Sequence, residues 1–392
     1  MSARIVIVGG GPVGLALALA TSSLPGVEVS VIERGPAVGD ILPEPFDHRV
    51  YALSPASLDL LQEWGAALPA ARIAKVRAMQ VNGDGGQAGP GRLDFNGGQP
   101  LAAIVEHAAV MQALQRRLVQ DGRVQILRGL ACVEMRPIEM RAPGGTRREL
   151  TLSDGSKSAA DLLIAADGSR SQIRQWAGIS ATVKDYESDG VVANFKTERP
   201  HGDIARQWFT HDAVLAYLPL PGNHISIVWS VSKDASKALQ SNDPAAFCRA
   251  VEEAGHSSLG ALSQISPIAR FPLSRIIANE WVQPGLALIG DAAHAVHPLA
   301  GQGVNLGFAD ICNMVTMLRG RSTFSAIGDL ALLRRYERSS REAAWAVGEM
   351  TDRLRSLYLN DSTAARWLRN DGIDLLNRLP AAKSLLIDYA SR

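Results

Sequence analysis

A glycine-rich turn near the start of the sequence has the residues and spacing needed to hold a phosphate group. Gly9, Gly11 and Gly14 follow a strand-like apolar run, and Pro12 opens a Leu- and Ala-rich stretch typical of a helix. Gly9 permits a tight turn, Gly11 lets a pyrophosphate approach the backbone, and Gly14 lets the helix pack on the strand. Glu33 ends the next strand, where a carboxylate accepts hydrogen bonds from a ribose. The pattern predicts a βαβ unit that binds a dinucleotide, without distinguishing NAD from FAD.

A second polar motif lies far along the chain, after the strand-like run Leu286–Ile289. Gly290 lets a ligand come close, and Asp291 has the carboxylate to bind a sugar-alcohol hydroxyl. The Gly301-Gln302-Gly303 sequence then begins a helix, whose free amides and positive dipole end would face an anion. Asp167 likewise follows a strand-like run, Asp161–Ala166, although an Asp-Gly turn is common by itself.

Two histidines near this motif could be mistaken for metal ligands. His294 and His297 are three residues apart, but no carboxylate or cysteine beside them completes a ligand set, and Pro298 argues against a regular helix. We therefore expect structural or pocket-lining histidines and no metal. A Gly-x-Ser-x-Gly elbow is also missing from the sequence, so hydrolase chemistry has no support.

The overall composition excludes several classes of protein. Lys and Arg number 40 and Asp and Glu 39, so the net charge of +1 argues against a nucleic-acid partner. Cys132, Cys248 and Cys312 lie far apart, which is typical of a chain kept in the reducing cytoplasm. No apolar run reaches the roughly 20 residues of a membrane span.

The middle of the chain changes from helical to strand texture. Val191–Phe195, Arg206–Phe209, Ala213–Leu218 and His224–Val231 are short alternating runs that predict an antiparallel sheet. The glycine-rich segment Val81–Gly98 indicates a loop or hairpin near that sheet.

From Gln302 onward the sequence predicts mostly helix. Residues 319–392 include 13 Lys or Arg and 9 Asp or Glu, a charge of +4 (13 − 9). Such helices pack on their own core by default, but a partner protein or an anionic membrane surface also suits them.

Taken together, these motifs resemble the class A flavoprotein aromatic hydroxylases, which share the p-hydroxybenzoate hydroxylase fold. Within them the chain looks most like the ubiquinone-biosynthesis hydroxylases. The residues that carry the resemblance are Gly9–Gly14, Glu33-Arg34, Asp47–Ser54 with its Arg-x-x-Ala-Leu-Ser element, Ala166–Ser171, Gly290–Asn305, Arg335–Arg338 and Leu368–Pro380.

The resemblance implies a role for each motif. Arg49 would lie by the flavin and ribitol, Asp167 near the pyrophosphate and Asp291 on the ribitol, while the segment 301–305 would hold the pyrimidine edge of the ring. Pro298 would lie close to where oxygen adds. The cofactor-binding residues so predicted are Gly9, Gly11, Pro12, Gly14, Glu33, Arg34, Arg49, Gln112, Asp167, Gly290, Asp291, Pro298, Gly301, Gln302, Gly303, Val304 and Asn305, and the lining candidates of the active site are His297, Pro298 and Tyr217.

One position departs from the family pattern. Ala108 stands where an Arg or similar polar residue is usual. Either Gln112, one turn later, compensates, or the affinity for FAD is weakened.

The implied activity is hydroxylation of an aromatic ring. In that family NAD(P)H reduces FAD, O2 adds as a C4a-hydroperoxide, and the protein excludes water and orients the ring. The chain has no second strand–GxGxxG–helix unit, so NAD(P)H would visit a groove as a transient reductant.

The substrate implied by the branch is a prenylated phenol or quinol precursor of ubiquinone. Hydroxylation of a soluble small phenol and a non-catalytic role as an assembly subunit remain as alternatives, the latter favoured only by Ala108. Sister proteins of ubiquinone biosynthesis, peripheral contact with the inner face of the membrane and a homo-oligomer are further partners that the sequence allows.

The expected architecture is α/β, with a discontinuous Rossmann-type FAD-binding domain, an inserted antiparallel sheet and a helical C-terminal region. The FAD-binding domain would comprise residues 1–70, 100–180 and 276–330. The substrate-binding sheet would comprise residues 71–99 and 181–275, and the helical region residues 331–392.

Overall fold

Two large sheets organise the chain in the computed structural model, which describes residues 2–39, 41–83, 92–96, 98–139, 146–210, 212–241, 243–296, 303–322 and 324–359. The strands are β1 Ala3–Val8, β2 Val27–Glu33, β3 Val50–Leu53, β4 Ile73–Val76, β5 Ala78–Asn82, β6 Arg92–Asn96, β7 Ala102–Glu106, β8 Val124–Arg128, β9 Cys132–Glu139, β10 Thr146–Leu152, β11 Lys157–Ala160, β12 Leu162–Ala165, β13 Ala181–Thr197, β14 Ile204–Phe209, β15 Val214–Leu220, β16 His224–Ser232, β17 Leu262–Gln264, β18 Ala269–Ala278, β19 Val282–Gln283, β20 Leu286–Leu288 and β21 His294–Ala295. The helices are α1 Pro12–Ser22, α2 Pro55–Glu63, α3 His107–Asp121, α4 Gln172–Trp176, α5 Lys233–Ser241, α6 Pro244–Ala254, α7 Gly303–Arg319 and α8 Leu330–Leu359.

The first sheet is the predicted Rossmann-type unit. Its strand order is β19-β20-β12-β1-β2-β8, and all pairs are parallel except the β19–β20 edge. The sequence β1-α1-β2 confirms the expected βαβ unit. Because parallel strands end at the same edge, the turns after β1, β2, β12 and β20 lie together, which is where such sheets bind ligands.

The second sheet is the predicted antiparallel layer. Its order is β21-β18-β13-β16-β15-β14-β5-β6, with β17 pairing on β13. One pair, β14 with β5, is parallel, and β5 and β6 form a hairpin whose connection, residues 84–91, lies outside the described residues. The neighbouring strand β4 pairs instead with β7, in a small sheet with β3.

The two faces of the second sheet have different neighbours. One face packs on α6, where Phe195, Tyr217, Ile227, Phe247 and Val251 form a buried cluster. The other face turns towards the first sheet and encloses a cavity with it. The alternation of side chains along each strand thus separates core residues from cavity residues.

Helix α8 connects the two sheets. Tyr336 is buried and its hydroxyl donates to the carbonyl of Leu288 in the first sheet at 2.8 Å. Further along, Asp352 accepts hydrogen bonds from Arg275 at 2.8 Å and Lys184 at 3.0 Å, both in the second sheet. The predicted helical region is therefore helical to residue 359, and residues 360–392 lie outside the described part. Among the described helices, none has the length and apolar character to cross a bilayer.

Candidate active site

The glycine turn after β1 is closed on one side and open on the other. Gly9 has a φ of +107°, and a Cβ there would stand 2.3 Å from the carbonyl oxygen of Ala166. A Cβ on Gly14 would stand 2.0 Å from the carbonyl oxygen of Gly9, so both positions require glycine. At Gly11 an added Cβ would meet nothing within 4 Å. This open side has the shape that lets a pyrophosphate reach the backbone and the start of α1.

The end of β2 supplies the second wall. Glu33 accepts hydrogen bonds from the amides of Gly10 and Gly35, the latter at 2.6 Å, and both Glu33 and Arg34 line the cavity. The turn 130–132 faces the same space, a contribution that the motifs did not predict. Burial raises the pKa of the Cys132 thiol to about 11, so Cys132 adds no charge to this wall near pH 7.

Asp167 follows β12 at the same edge. Its Oδ2 accepts hydrogen bonds from the amides of Gln172 at 2.8 Å and Ile173 at 3.2 Å, at the start of α4. Its Oδ1 is buried without a hydrogen-bond partner among the described residues. Because buried carboxylate oxygens are normally hydrogen-bonded, Oδ1 is available to a hydroxyl or water of a bound cofactor.

Asp291 faces the cavity from the short turn after β20. Burial raises the pKa of Asp291, and the charges of His294 and Arg49 act in the opposite direction. Underneath, one oxygen of Asp310 accepts from the amide of Gly290 at 3.0 Å and lies 2.6 Å from Nε2 of His294. Burial alone would lower the pKa of His294, but the charge and hydrogen bond of Asp310 outweigh it and raise the pKa. His294 is thus a buried structural residue, and its anchor Asp310 was not predicted.

The first turn of α7 closes this end of the site. Gly303, Val304 and Asn305 line the cavity, and amides in the first turn of a helix have no partner within that helix. The Asn305 side chain turns away to join α7 to the Arg-x-x-Ala-Leu-Ser segment. Its Nδ2 donates to the carbonyl of Ala52 at 2.9 Å, and its Oδ1 accepts from the amide of Ser54 at 3.1 Å. The predicted residues His297, Pro298, Gly301 and Gln302 lie outside the described residues.

Arg49 lines the same cavity, whereas Gln112 does not. Gln112 is buried in α3, and its Nε2 donates to the carbonyl of Gly39 at 3.4 Å. The side chain of Ala108 has no polar group, but its backbone amide donates a hydrogen bond to the Asp47 carboxylate at 3.2 Å. The structure thus gives Gln112 a supporting position behind the wall.

A single continuous cavity of about 2920 Å³ joins all these walls to the second sheet. Pockets for one drug-sized ligand usually measure about 300–1,000 Å³, so this one has room for a dinucleotide and a second molecule. The open side of Gly11 and the unpaired oxygen of Asp167 both fit FAD. An apolar part of the sheet side forms what we call the chamber, lined by Met79, Val81, Leu93, Phe95, Phe209, Val214, Ala216, Leu218 and Val228. Polar residues of the same sheet, among them Arg206, Gln207, Ser230 and Arg270, line the cavity as well.

Tyr217 does not belong to this chamber. Its side chain is buried on the opposite face of β15, and its hydroxyl donates to the carbonyl of Val251 in α6 at 2.6 Å. Its neighbours Ala216 and Leu218 face the cavity instead. The expectation that Tyr217 lines the active site is corrected by this alternation: Tyr217 is a packing residue.

Comparison with known proteins agrees with this geometry. The profile of the FAD binding domain family matches residues 2–351. Over 99% of its length the chain is 33% identical to 3-demethoxyubiquinol 3-hydroxylase of Escherichia coli, covering 98% of that protein. It is 32% identical to the human ubiquinone biosynthesis monooxygenase COQ6, over 99% of this chain and 92% of that one.

Solved structures show the same fold at lower identity. p-Nitrophenol 4-monooxygenase PnpA from Pseudomonas putida is 18% identical with a TM-score of 0.76, and the match covers 100% of this chain and 98% of that one. PqsL from Pseudomonas aeruginosa, in complex with 2-aminobenzoylacetate, gives a TM-score of 0.77 at 18% identity over 95% of this chain and 100% of its own. From its motifs, its cavity and these full-length matches, the chain belongs to the FAD binding domain family, the class A flavoprotein hydroxylases that its sequence resembles.

Proposed function

We propose that this flavoprotein hydroxylates the aromatic ring of a prenylated phenol or quinol in ubiquinone biosynthesis, using NAD(P)H and O2. The observation that carries the proposal is the continuity between the flavin walls and the apolar chamber. A chamber wall built from Val, Leu, Phe and Met side chains favours a hydrocarbon-bearing substrate, because burying apolar surface is worth about 25 cal/mol per Å².

Three large apolar side chains line the cavity and are also open to solvent: Phe271, Trp345 and Met350 are 37%, 58% and 40% exposed. We call the part of the cavity that they form the mouth, and its character favours a substrate with a long hydrocarbon tail. Exposed large apolar side chains grouped at an opening are typical of an interaction site. A prenyl tail longer than the chamber would leave here.

The residues around the cavity would divide the chemical work. Bound FAD, reduced by NAD(P)H, would supply the activated oxygen. The Gly11 turn would hold the pyrophosphate, Asp291 a ribitol hydroxyl, and the first turn of α7 would stabilise negative charge on the ring. The chamber would exclude water and orient the phenol, with Gln207 and Ser230 as polar groups among its apolar neighbours.

We also propose the division of labour along the chain that the sequence suggested. Residues 1–70, 100–180 and 276–330 would hold the cofactor, residues 71–99 and 181–275 would cover the substrate, and residues 331–392 would form the helical region. The shared sheet of β5, β6 and β13–β18 supports this division. Strand β4 is an exception, because it lies within residues 71–99 but pairs with β7 of the cofactor-binding part. The apolar mouth favours peripheral contact with a membrane, and sister proteins or a second copy of the chain are further proposed partners.

The experiment uses purified holoprotein with NADH or NADPH and isotopically labelled O2. We expect a prenylated phenol to stimulate NAD(P)H oxidation and to gain one labelled oxygen, measured by mass spectrometry. The matched control is the same phenol without its prenyl tail, which should be turned over less well because it leaves the chamber unfilled.

Each alternative gives a different result. Equal turnover of both phenols would point to a hydroxylase of soluble phenols. A protein that takes up no FAD would point to an assembly subunit, and formation of hydrogen peroxide alone with every prenylphenol would end the proposal.

A further inference from the structure

Tyr51 and His107 form a hydrogen-bonded pair in the cavity wall, and the sequence motifs gave neither residue a role. The Tyr51 hydroxyl lies 2.7 Å from Nδ1 of His107, and the two rings meet edge to face with centroids 5.7 Å apart. Tyr51 comes from β3 and His107 opens α3, so the pair joins two elements that are 56 residues apart in sequence. Both residues line the cavity.

Both members of the pair are neutral near pH 7. Burial raises the pKa of Tyr51 to about 12, against the opposing charge of Arg49. Burial also lowers the pKa of His107 to about 4, and Arg49 acts in the same direction. The pair therefore brings no charge to the wall, and Arg49 is the cation beside it.

Arg49 rests on this pair. The guanidinium carbon lies 5.4 Å from the centroid of the Tyr51 ring, within the range of a cation–π contact. The Arg49 amide donates to Oδ1 of Asp47 at 3.1 Å, and the Arg49 carbonyl accepts from the amide of His107 at 2.8 Å. The backbone is thus fixed on both sides, while the side chain is exposed to the cavity.

The direction of Arg49 matters because Asp291 lines the same cavity. Burial raises the pKa of Asp291, and the positive charge of Arg49 opposes that rise. An arginine side chain has many rotamers, and fixing one of them costs free energy that a preformed contact removes before a ligand binds. The Tyr51 ring, held by His107 and lying beneath the Arg49 guanidinium, supplies such a preformed contact.

We propose that Tyr51, held in place by His107, is a positioning residue that keeps the Arg49 guanidinium turned into the flavin site opposite Asp291. The inference rests on the proposed function in one respect, the role of Arg49 at the cofactor. The ligand concerned is the anionic flavin dinucleotide, which a correctly placed cation attracts. Tyr51 itself acts through Arg49.

The test is a double-mutant cycle on FAD binding to deflavinated protein, read by quenching of flavin fluorescence. Tyr51→Leu removes the ring, and we expect FAD affinity to fall about three- to thirty-fold, the range of a cation–π contact. Tyr51→Phe keeps the ring and should lose less. In the Arg49→Met background, Tyr51→Leu should cause no further loss, because the group that it positions is absent.

Several outcomes would overturn the inference. Additive effects of Tyr51→Leu and Arg49→Met would mean that Tyr51 acts independently of Arg49, and unchanged affinity in Tyr51→Leu would mean that it does not act at all. Should Tyr51→Leu fail to fold, the cycle is run with His107→Phe, whose smaller loss must likewise vanish beside Arg49→Met. No substrate is present, so failure of a prenylphenol to react would leave this result untouched.

Discussion

Gly11 and Gly14 lie three residues apart, yet an added methyl group should have opposite effects at the two positions. At Gly11 the methyl group would enter open space where the pyrophosphate is expected, and the backbone there (φ −71°) suits any residue. At Gly14 it would meet the Gly9 carbonyl oxygen at 2.0 Å. The first position therefore concerns the ligand, and the second concerns the packing of α1 on β1.

We expect Gly11→Ala to leave the free energy of unfolding of the deflavinated protein unchanged and to weaken FAD binding by about tenfold or more, about 1.4 kcal/mol. Gly14→Ala should lower the free energy of unfolding by about 1–3 kcal/mol, the usual cost of overpacking. Urea unfolding and fluorescence titration measure the two quantities. A Gly11→Ala protein that is destabilised but binds FAD normally would refute this assignment.

Single residues differ in how well the sequence predicts them. Glu33, Asp167 and Asp291 were identifiable because each lies at the end of a strand of a parallel sheet or just after it, and such ends meet at one edge. Tyr51 and Asp310 were not, because their partners are reached only through the tertiary fold: Tyr51 pairs with a residue on another element, and Asp310 holds a turn from inside α7.

At the scale of elements, β15 shows why a strand can be predicted correctly and its faces misassigned. The run Ala213–Leu218 predicts a strand, and the structure has one over Val214–Leu220. Both faces of β15 are apolar, however, one against α6 and one towards the cavity. Because a strand with two covered faces lacks the polar alternation that marks a solvent side, the pattern alone did not tell which face Tyr217 occupies.

Substitutions at two adjacent residues of β15 should therefore separate binding from stability. Ala216→Phe places a ring in the chamber, and we expect a higher KM for a prenylated phenol with little change in FAD affinity. Tyr217→Phe removes the hydrogen bond to Val251 and should lower the free energy of unfolding by about 1 kcal/mol without changing that KM. Steady-state kinetics and urea unfolding distinguish them. A raised KM in Tyr217→Phe alone would return Tyr217 to the substrate site.

At the scale of the whole molecule, one cavity brings together residues that are almost three hundred positions apart. The Gly9–Gly14 turn and the Gly290–Asn305 segment both contribute described residues to its wall, and the second sheet covers it. The sequence predicted this meeting through the resemblance of its motifs to one family. It did not predict the hydrogen bond from Arg275 to Asp352, which holds α8 on the second sheet, because those two residues belong to no motif.

A cofactor held from both regions should stabilise the chain as a unit. Binding to the folded state adds RT ln(1 + [L]/Kd), so FAD at a hundred times its Kd should raise the free energy of unfolding by about 2.7 kcal/mol. Asp291→Asn keeps the size of the side chain but removes its charge at the ribitol end. At the same FAD concentration we expect a smaller rise, because a hydrogen bond to a charged group is worth about 1.5–3 kcal/mol.

Thermal unfolding of wild-type and Asp291→Asn protein, each with and without FAD, measures this linkage. Asp185→Asn is a matched control, since Asp185 does not line the cavity and pairs instead with Lys233 at the surface, and its FAD-dependent rise should equal that of the wild type. If FAD raises the Tm of Asp291→Asn as much as that of the wild type, Asp291 does not hold the cofactor. The cofactor would then be held by the glycine turn and the other walls of the cavity, and the Asp291 carboxylate would serve only the turn that Asp310 anchors.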